Sequence, residues 1–313
     1  MKAVVLHEFG GPEVLRIEEV PAPEPIPTEV QVRVHAAGVN PVDCKTRQGR
    51  GMSAVLGEPP LRIGWDVAGV VSAVGVGVTR FEVGDEVFGM PWFPRQAGAY
   101  AEYVAAPSRH FAGKPAVLTH EEAAALPLAG LTAWQMLVDT VRVHSGDDVL
   151  IHGAAGGVGH LAVQIAVARG ANVFGTARAE QAGMLAELGV KRTIDYREER
   201  FEDLLADLDA VVDCTGANGE RSLEALRPGG ILVSVSASAA NELREQAKAR
   251  EQRVAGILVE PDPVGLEGLI HLIEHGALQV HVDEVFDLER VTDAHRLAES
   301  SHGGGKIVLR VGS

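Results

Sequence analysis

The stretch Asp148–Ala168 constrains the chain more than any other. An apolar run, Asp148-Val-Leu-Ile-His152, meets Gly153-Ala-Ala-Gly-Gly-Val-Gly159 and then the helical pattern Leu161-Ala-Val-Gln-Ile-Ala-Val-Ala168. A strand that stops at a tight glycine turn leaves the first N–H groups of the next helix without partners. It also exposes the positive end of the helix dipole, an arrangement suited to a pyrophosphate. Gly156 and Gly159 fill the last two positions of the G-x-G-x-x-G dinucleotide pattern, with Gly157 and Val158 between them, while Ala154 stands at the first. An ordinary strand-to-helix turn is the alternative, but the strand before and the helix after that the motif requires are both present.

Around this turn the sequence alternates. Strand-like runs are expected at 148 to 152, 172 to 176, 192 to 195, 209 to 213, 230 to 235 and 254 to 259. Helical stretches are expected near 158 to 169, 179 to 188, 198 to 206 and 219 to 226. That alternation predicts an α/β, doubly wound parallel sheet of the Rossmann kind. Residues 1 to about 110 read instead as short β segments punctuated by Gly and Pro, an irregular β-barrel. Thr119 followed by Glu122 is a capping-box pattern and marks a change of texture near 118. Past Pro261 a helix to His275, a strand near 280 to 286, a helix near 290 to 300 and a strand Lys306 to Val311 are expected. The tail is assigned to the first domain, so the expected domains are 1–118 with 262–313, and 119–261.

Composition narrows the function classes. A formal net charge of -15 with no compensating basic run argues against nucleic acid and against an acidic membrane surface. Met1-Lys-Ala-Val-Val-Leu6 is too short for a signal-peptide core, and no apolar run is long enough to span a bilayer. Cys44 and Cys214 are the two cysteines, which fits a reducing, cytoplasmic setting and excludes a disulfide framework.

Several blocks, in order and spacing, carry a resemblance: Gly38-Val-Asn-Pro-Val-Asp43, Gly64-Trp-Asp-Val-Ala-Gly-Val-Val71, Val83-Gly-Asp-Glu-Val-Phe-Gly89, Leu126-Pro-Leu-Ala-Gly-Leu-Thr-Ala-Trp134, the glycine turn, and Gly305-Lys-Ile-Val-Leu309. The chain resembles the zinc-independent quinone oxidoreductase branch of the medium-chain dehydrogenase/reductase superfamily. The resemblance implies a GroES-like β-barrel catalytic domain beside a Rossmann domain, and NADPH as cofactor. It also implies reduction of a quinone or α,β-unsaturated carbonyl. A homodimer is expected by analogy, through the strand near Val254 to Val259. Enoyl-thioester reduction and an NADPH-binding structural or regulatory role are the competing functions.

The positions corresponding to zinc ligands are Asn40, Trp65 with Asp66, and Leu128, so one carboxylate remains where a catalytic zinc needs about three protein ligands. No metal is expected. His271-Leu-Ile-Glu-His275 matches H-x-x-E-H, but it reads better as two histidines near a helix C-terminus.

For the cofactor, Thr176-Ala-Arg178 follows the second strand where an NAD site places an acid, so Arg178 is expected to meet a 2′-phosphate, the plainer alternative being a solvated residue at a helix start. Thr176, Tyr196, Ser234 and Ser236 join the expected cofactor contacts, the serines because Rossmann ligands bind at the carboxyl end of the sheet. Reduction leaves negative charge on oxygen, which calls for a hydrogen-bond donor or cation. The resemblance, by the positions it assigns them near the nicotinamide and the substrate, makes Asn40, Lys45 and Thr132 the catalytic candidates. For each a plainer role stands beside the functional one: bracing the turn before Pro41, pointing into water, and capping a helix. Trp65, Trp92, Phe93 and Leu128 are expected to line a substrate pocket, although Trp92 and Phe93 equally suit a domain core. Asp43 reads as structural and Cys44 as a small buried hydrophobe.

Overall fold

The computed structural model describes residues 1–300 and 304–312. The chain divides into two units, one formed by Met1–Leu131, Glu260–Ile270 and Val280–Ser313, the other by Thr132–Val259 and His271–Gln279.

The first unit is built on a seven-stranded sheet. Its order is Val282–Asp287, Lys306–Arg310, Glu29–Val39, Asp66–Val74, Glu86–Gly89, Phe111–Gly113, and Tyr103–Pro107 also pairs with Glu29–Val39. Alternation explains the long strand Glu29–Val39: Val30, Val32 and Val34 turn inward to a core shared with Ile63, Tyr100, Phe111 and Leu309. The last strand, Lys306–Arg310, pairs antiparallel with Glu29–Val39 in a register that sets Ile307 opposite Val39. Lys306 therefore arrives beside Asn40.

The helix His120–Ala125 begins with the expected reciprocal cap: the Glu122 N–H donates to Thr119 Oγ1 at 3.2 Å and the Thr119 N–H to Glu122 Oε2 at 2.8 Å. It lies so close to the sheet that a Cβ on Gly38 would fall 2.4 Å from the Ala124 carbonyl oxygen. This packing carries the first unit on to Leu131, past the expected boundary near 118, whereas His271–Gln279, expected in the first domain, falls in the second unit. There the Gln164 side chain holds the segment, donating to the Gln279 carbonyl at 3.0 Å and accepting its N–H at 2.7 Å.

The second unit carries six parallel strands: β1 (Asp148–His152), β2 (Asn172–Ala177), β3 (Arg192–Asp195), β4 (Leu208–Asp213), β5 (Leu226–Ser234) and β6 (Arg253–Gly256). Their order is β3-β2-β1-β4-β5-β6, the doubly wound arrangement, in which the direction of winding switches between β1 and β4. Local pattern gave β1 to β4 within a residue, while β6 stops at Gly256, short of the expected 259. The expected helix at 198 to 206 is a single 3-10 turn, Phe201–Asp203. Its Glu202 pairs with Arg200 just before the turn, at 2.9 Å, and with Arg221 of the helix Gly219–Ala225, at 2.6 Å. After Gly130 the helix Pro127–Trp134 widens into a π-helical stretch, Gln135–Val141, which ends at a left-handed Arg142. Among the described residues no helix is long and apolar enough to cross a membrane.

Candidate active site and nucleotide site

In the second unit the glycine turn takes its shape from close approach. A Cβ on Gly159 would lie 2.0 Å from the Gly153 carbonyl oxygen, so only glycine lets the helix Gly159–Ala168 start this near β1. The departure at Ala154 is compensated from the neighbouring strand. The Ala154 methyl fills the space opposite Gly175 of β2, where an added Cβ would meet it at 2.7 Å. The first bond into the helix runs from the His160 N–H to the Gly156 carbonyl at 3.0 Å. The amides of Gly157, Val158 and Gly159 thus precede the ladder, and Gly156, Gly157 and Val158 are half-buried at the turn's surface. Amides ahead of the ladder, a positive dipole end and a crowded, glycine-rich turn fit a pyrophosphate.

The other expected cofactor residues divide. Arg178, just past β2, is half-buried, and Tyr196, just past β3, is 57% exposed, so both stand at the rim. The nearby acid, Asp195, is committed to backbone: it accepts the Ala179 N–H at 3.2 Å and the Arg197 N–H at 3.0 Å. Thr176 is 4% exposed and its hydroxyl faces His152 at 3.1 Å. Ser234 is buried, with its hydroxyl accepting the Ser236 N–H at 3.1 Å and its carbonyl the Ile257 N–H at 3.0 Å. Ser236 is half-buried at the carboxyl rim of the sheet.

In the first unit one catalytic candidate, Asn40, sits in a sealed polar cluster. Asn40 is 1% exposed and precedes the helix Pro41–Arg47, its N–H donating to Asp43 Oδ2 at 2.7 Å. Its side chain donates through Nδ2 to Asp66 Oδ2 at 2.8 Å, while Oδ1 accepts from the Lys306 ammonium. Asp66 Oδ1 takes the Leu128 N–H at 2.8 Å, and Tyr100 donates its hydroxyl to Asp43 Oδ2 at 2.8 Å. Burial pushes Asp66 up to about 6 against the pull of Lys306, and pushes Asp43 up to about 7. Burial also lowers Lys306 from the usual ammonium range, with the two carboxylates opposing that shift.

Asn40 thus braces the cluster, the amide's two ends fixed by an ammonium and a carboxylate. Lys306 and Tyr100 were missed as site residues. The sequence signal for Lys306 is a lysine opening the apolar strand Ile307-Val-Leu309; for Tyr100 there was none.

Thr132 is buried in the middle of the helix Pro127–Trp134, so it is no N-cap. Trp65 is fully buried, donating its indole N–H to the Arg95 carbonyl at 2.7 Å and meeting Phe93 edge-on with centroids 5.3 Å apart. Trp92 donates to the Ala105 carbonyl at 2.8 Å and packs against the core, and Phe93 and Leu128 are buried. The two indole N–H groups are thus taken by backbone carbonyls, and Trp65 and Phe93 pack edge to face within the first unit. Lys45 stands exposed on its helix. Cys44 is buried 3.5 Å from His295 Nδ1 with its thiol pushed up to about 12, chiefly by burial, which makes it an inert packing group. Among the described residues no group of three His, Cys, Asp or Glu is placed to hold a metal ion.

A sheet in this order with a glycine turn after β1, joined to a GroES-like β unit, defines the two-domain class of nucleotide-dependent dehydrogenases and reductases. Residues 26–116 match the family described as alcohol dehydrogenase GroES-like domain, and residues 188–309 match that described as zinc-binding dehydrogenase. The chain is 34% identical to the NADPH-dependent alkenal/one oxidoreductase of Arabidopsis thaliana chloroplasts, across 99% of this chain and 79% of that protein. The quinone oxidoreductase from Coxiella burnetii superposes with a TM-score of 0.94 at 37% identity, covering 100% of this chain and 99% of that one. The Escherichia coli quinone oxidoreductase complexed with NADPH superposes with a TM-score of 0.86 at 30% identity, over 99% and 100% of the two chains. The chain belongs to the zinc-independent quinone oxidoreductase branch of the medium-chain dehydrogenase/reductase superfamily.

Proposed function

We propose that the chain is an NADPH-dependent oxidoreductase that reduces a quinone or an α,β-unsaturated carbonyl without a metal. The observation that carries the reading is the glycine turn after β1, whose amides and closely approaching glycines suit a pyrophosphate. A bound NADPH supplies the hydride. Gly156, Gly157, Val158 and Gly159 hold the pyrophosphate, and Arg178 pairs with the 2′-phosphate, since the strand tip Thr176-Ala-Arg178 carries no acid to prefer a ribose hydroxyl. Tyr196 and Ser236 flank the nucleotide from the rim. Lys45 is the one exposed cation among the catalytic candidates, and it steadies negative charge arising on the acceptor's oxygen. Asn40 acts through Lys306 and Asp66, fixing the start of the helix that carries Lys45.

Relatives that reduce quinones and alkenals favour this acceptor class. The chain works as a homodimer in the cytoplasm. β6 closes the sheet as an edge strand with Leu258, just beyond it, 52% exposed, and two free cysteines suit a reducing setting. The test is steady-state NADPH oxidation against ortho-quinones, para-quinones, enones and crotonyl thioesters, with NADH in parallel. Turnover of quinones or enones with a higher kcat/KM for NADPH is expected. Turnover of thioesters alone, or a clear NADH preference, overturns the corresponding part.

A further inference from the structure

The buried imidazole of His152, the last residue of β1, has no part in the function described above, yet it joins the three segments that meet at the nucleotide end of the sheet. His152 is fully buried, with Phe201 edge-on at 4.6 Å. Its Nε2 lies 3.1 Å from Ser222 Oγ and its Nδ1 lies 3.1 Å from Thr176 Oγ1. The proton positions follow from the network. Ser222 Oγ lies 2.6 Å from the Asn218 carbonyl oxygen, and two oxygens that close need a proton between them, which the serine must supply. Ser222 can then only accept from His152, so Nε2 carries the hydrogen and Nδ1 is an acceptor. Thr176 must therefore turn its hydroxyl hydrogen toward His152. Its lone pairs face the Gly153 N–H, 3.2 Å away.

A phosphate oxygen only accepts hydrogen bonds, so the Thr176 hydroxyl is not a donor to the cofactor. Its place is inside the scaffold. Burial lowers His152 to about 4, which keeps the ring neutral as the network demands.

The chain of bonds starts in the loop after β4. There Asp213 accepts the Thr215 N–H at 2.9 Å and the Gly216 N–H at 3.0 Å, and Thr215 lies so near the turn that a Cβ on Gly153 would come within 3.0 Å of its methyl. It continues through Asn218, Ser222, His152 and Thr176 to Gly153, the residue that opens the glycine turn.

We propose that His152 is a positioning residue for the dinucleotide, tying the glycine turn, the tip of β2 and the loop after β4 into one preorganised rim. The proposal rests on nucleotide binding at this turn. It is tested by titrating the apo protein with NADPH and with 2′,5′-ADP, which carries the phosphorylated adenosine half alone. The proteins compared are the unaltered chain, His152→Leu, His152→Asn, Thr176→Val and the His152→Leu/Thr176→Val pair, with Tm recorded for each without ligand.

His152→Leu and Thr176→Val are each expected to raise Kd for both ligands about tenfold, the size of one net hydrogen bond. The double variant should be no weaker than either single one, because both remove the same link. His152→Asn, whose amide oxygen can stand near the Nδ1 position, should recover most of the affinity. Should His152→Leu fail to fold, Thr176→Val and Ser222→Ala carry the same test from either side of the ring. Lowered Tm with unchanged Kd, or additive losses in the double variant, would overturn the proposal alone. Failure of the unaltered chain to bind either ligand would overturn the cofactor reading and this proposal with it.

Discussion

Lys306 and Asn40 stand 266 residues apart in the chain, yet the Lys306 ammonium donates to the Asn40 amide oxygen inside a site closed to water, with 3% and 1% of the two residues exposed. The same amide donates to Asp66, and Asp43 lies one helical turn away on Tyr100. One ammonium thus faces two buried carboxylates, a composition that makes the cluster sensitive to pH and to loss of the cation.

The Asp43 carboxyl has a folded pKa of about 7, above its ordinary value of 3.8. Its contribution to stability is therefore fully present below about pH 4 and is lost as pH rises through 7. Asp43→Asn removes this dependence. Compared with the unaltered protein, the variant should gain on the order of 1 kcal/mol between pH 6 and pH 8, read from urea midpoints. A difference that stays flat over this window contradicts the raised pKa. Lys306→Met, by leaving Asp66 and Asp43 without their cation, should cost roughly 3 kcal/mol at pH 8.

Ala154 and Gly175 share one methyl-sized space, so the pair should behave as a unit. Gly175→Ala alone should destabilise the protein by about 1–3 kcal/mol through overpacking, since the new Cβ would lie 2.7 Å from that of Ala154. Adding Ala154→Gly should restore most of the lost Tm. If the double variant is no better than Gly175→Ala, the space is not shared.

This exchange also shows what the sequence could tell. The strand, the turn and the helix of residues 148–168 are local, and their periodicity is legible without knowledge of any neighbour. That Gly175 answers Ala154 is set by the pairing of β1 with β2, which no local window contains. The aromatic residues went the same way. Trp92 and Phe93 read equally as pocket or core and Trp65 as pocket, and the carbonyls that take the two indole N–H groups, those of Arg95 and Ala105, lie outside any local window. Lys306 stayed hidden because its partners lie on other strands, while Thr132 was misplaced because the helix starts at Pro127 rather than after Gly130.

Arg178 should decide the choice of nicotinamide cofactor. Arg178→Ala is expected to raise Kd for NADPH about tenfold to a hundredfold, the range of a charge-assisted hydrogen bond, and to leave NADH binding within about twofold. Equal losses for both cofactors would move Arg178 from the 2′-phosphate to a general supporting role.

The edge position of β6 makes a statement about mass. Light scattering at micromolar concentration should give twice the 33.0 kDa of the chain, and Leu258→Glu should shift the population toward monomer. A monomer in the unaltered protein would contradict the dimer.

The most direct test follows the hydride itself. NADPH deuterated at the transferable position of its nicotinamide C4 is mixed with the protein and an enone in the presence of a chelator, and the product is read by NMR. Deuterium at the β-carbon of the saturated product, at a rate untouched by the chelator, is the expected result. NADPH binding without label in the product of any enone, and without reduction of any quinone, would contradict metal-free hydride transfer by this chain.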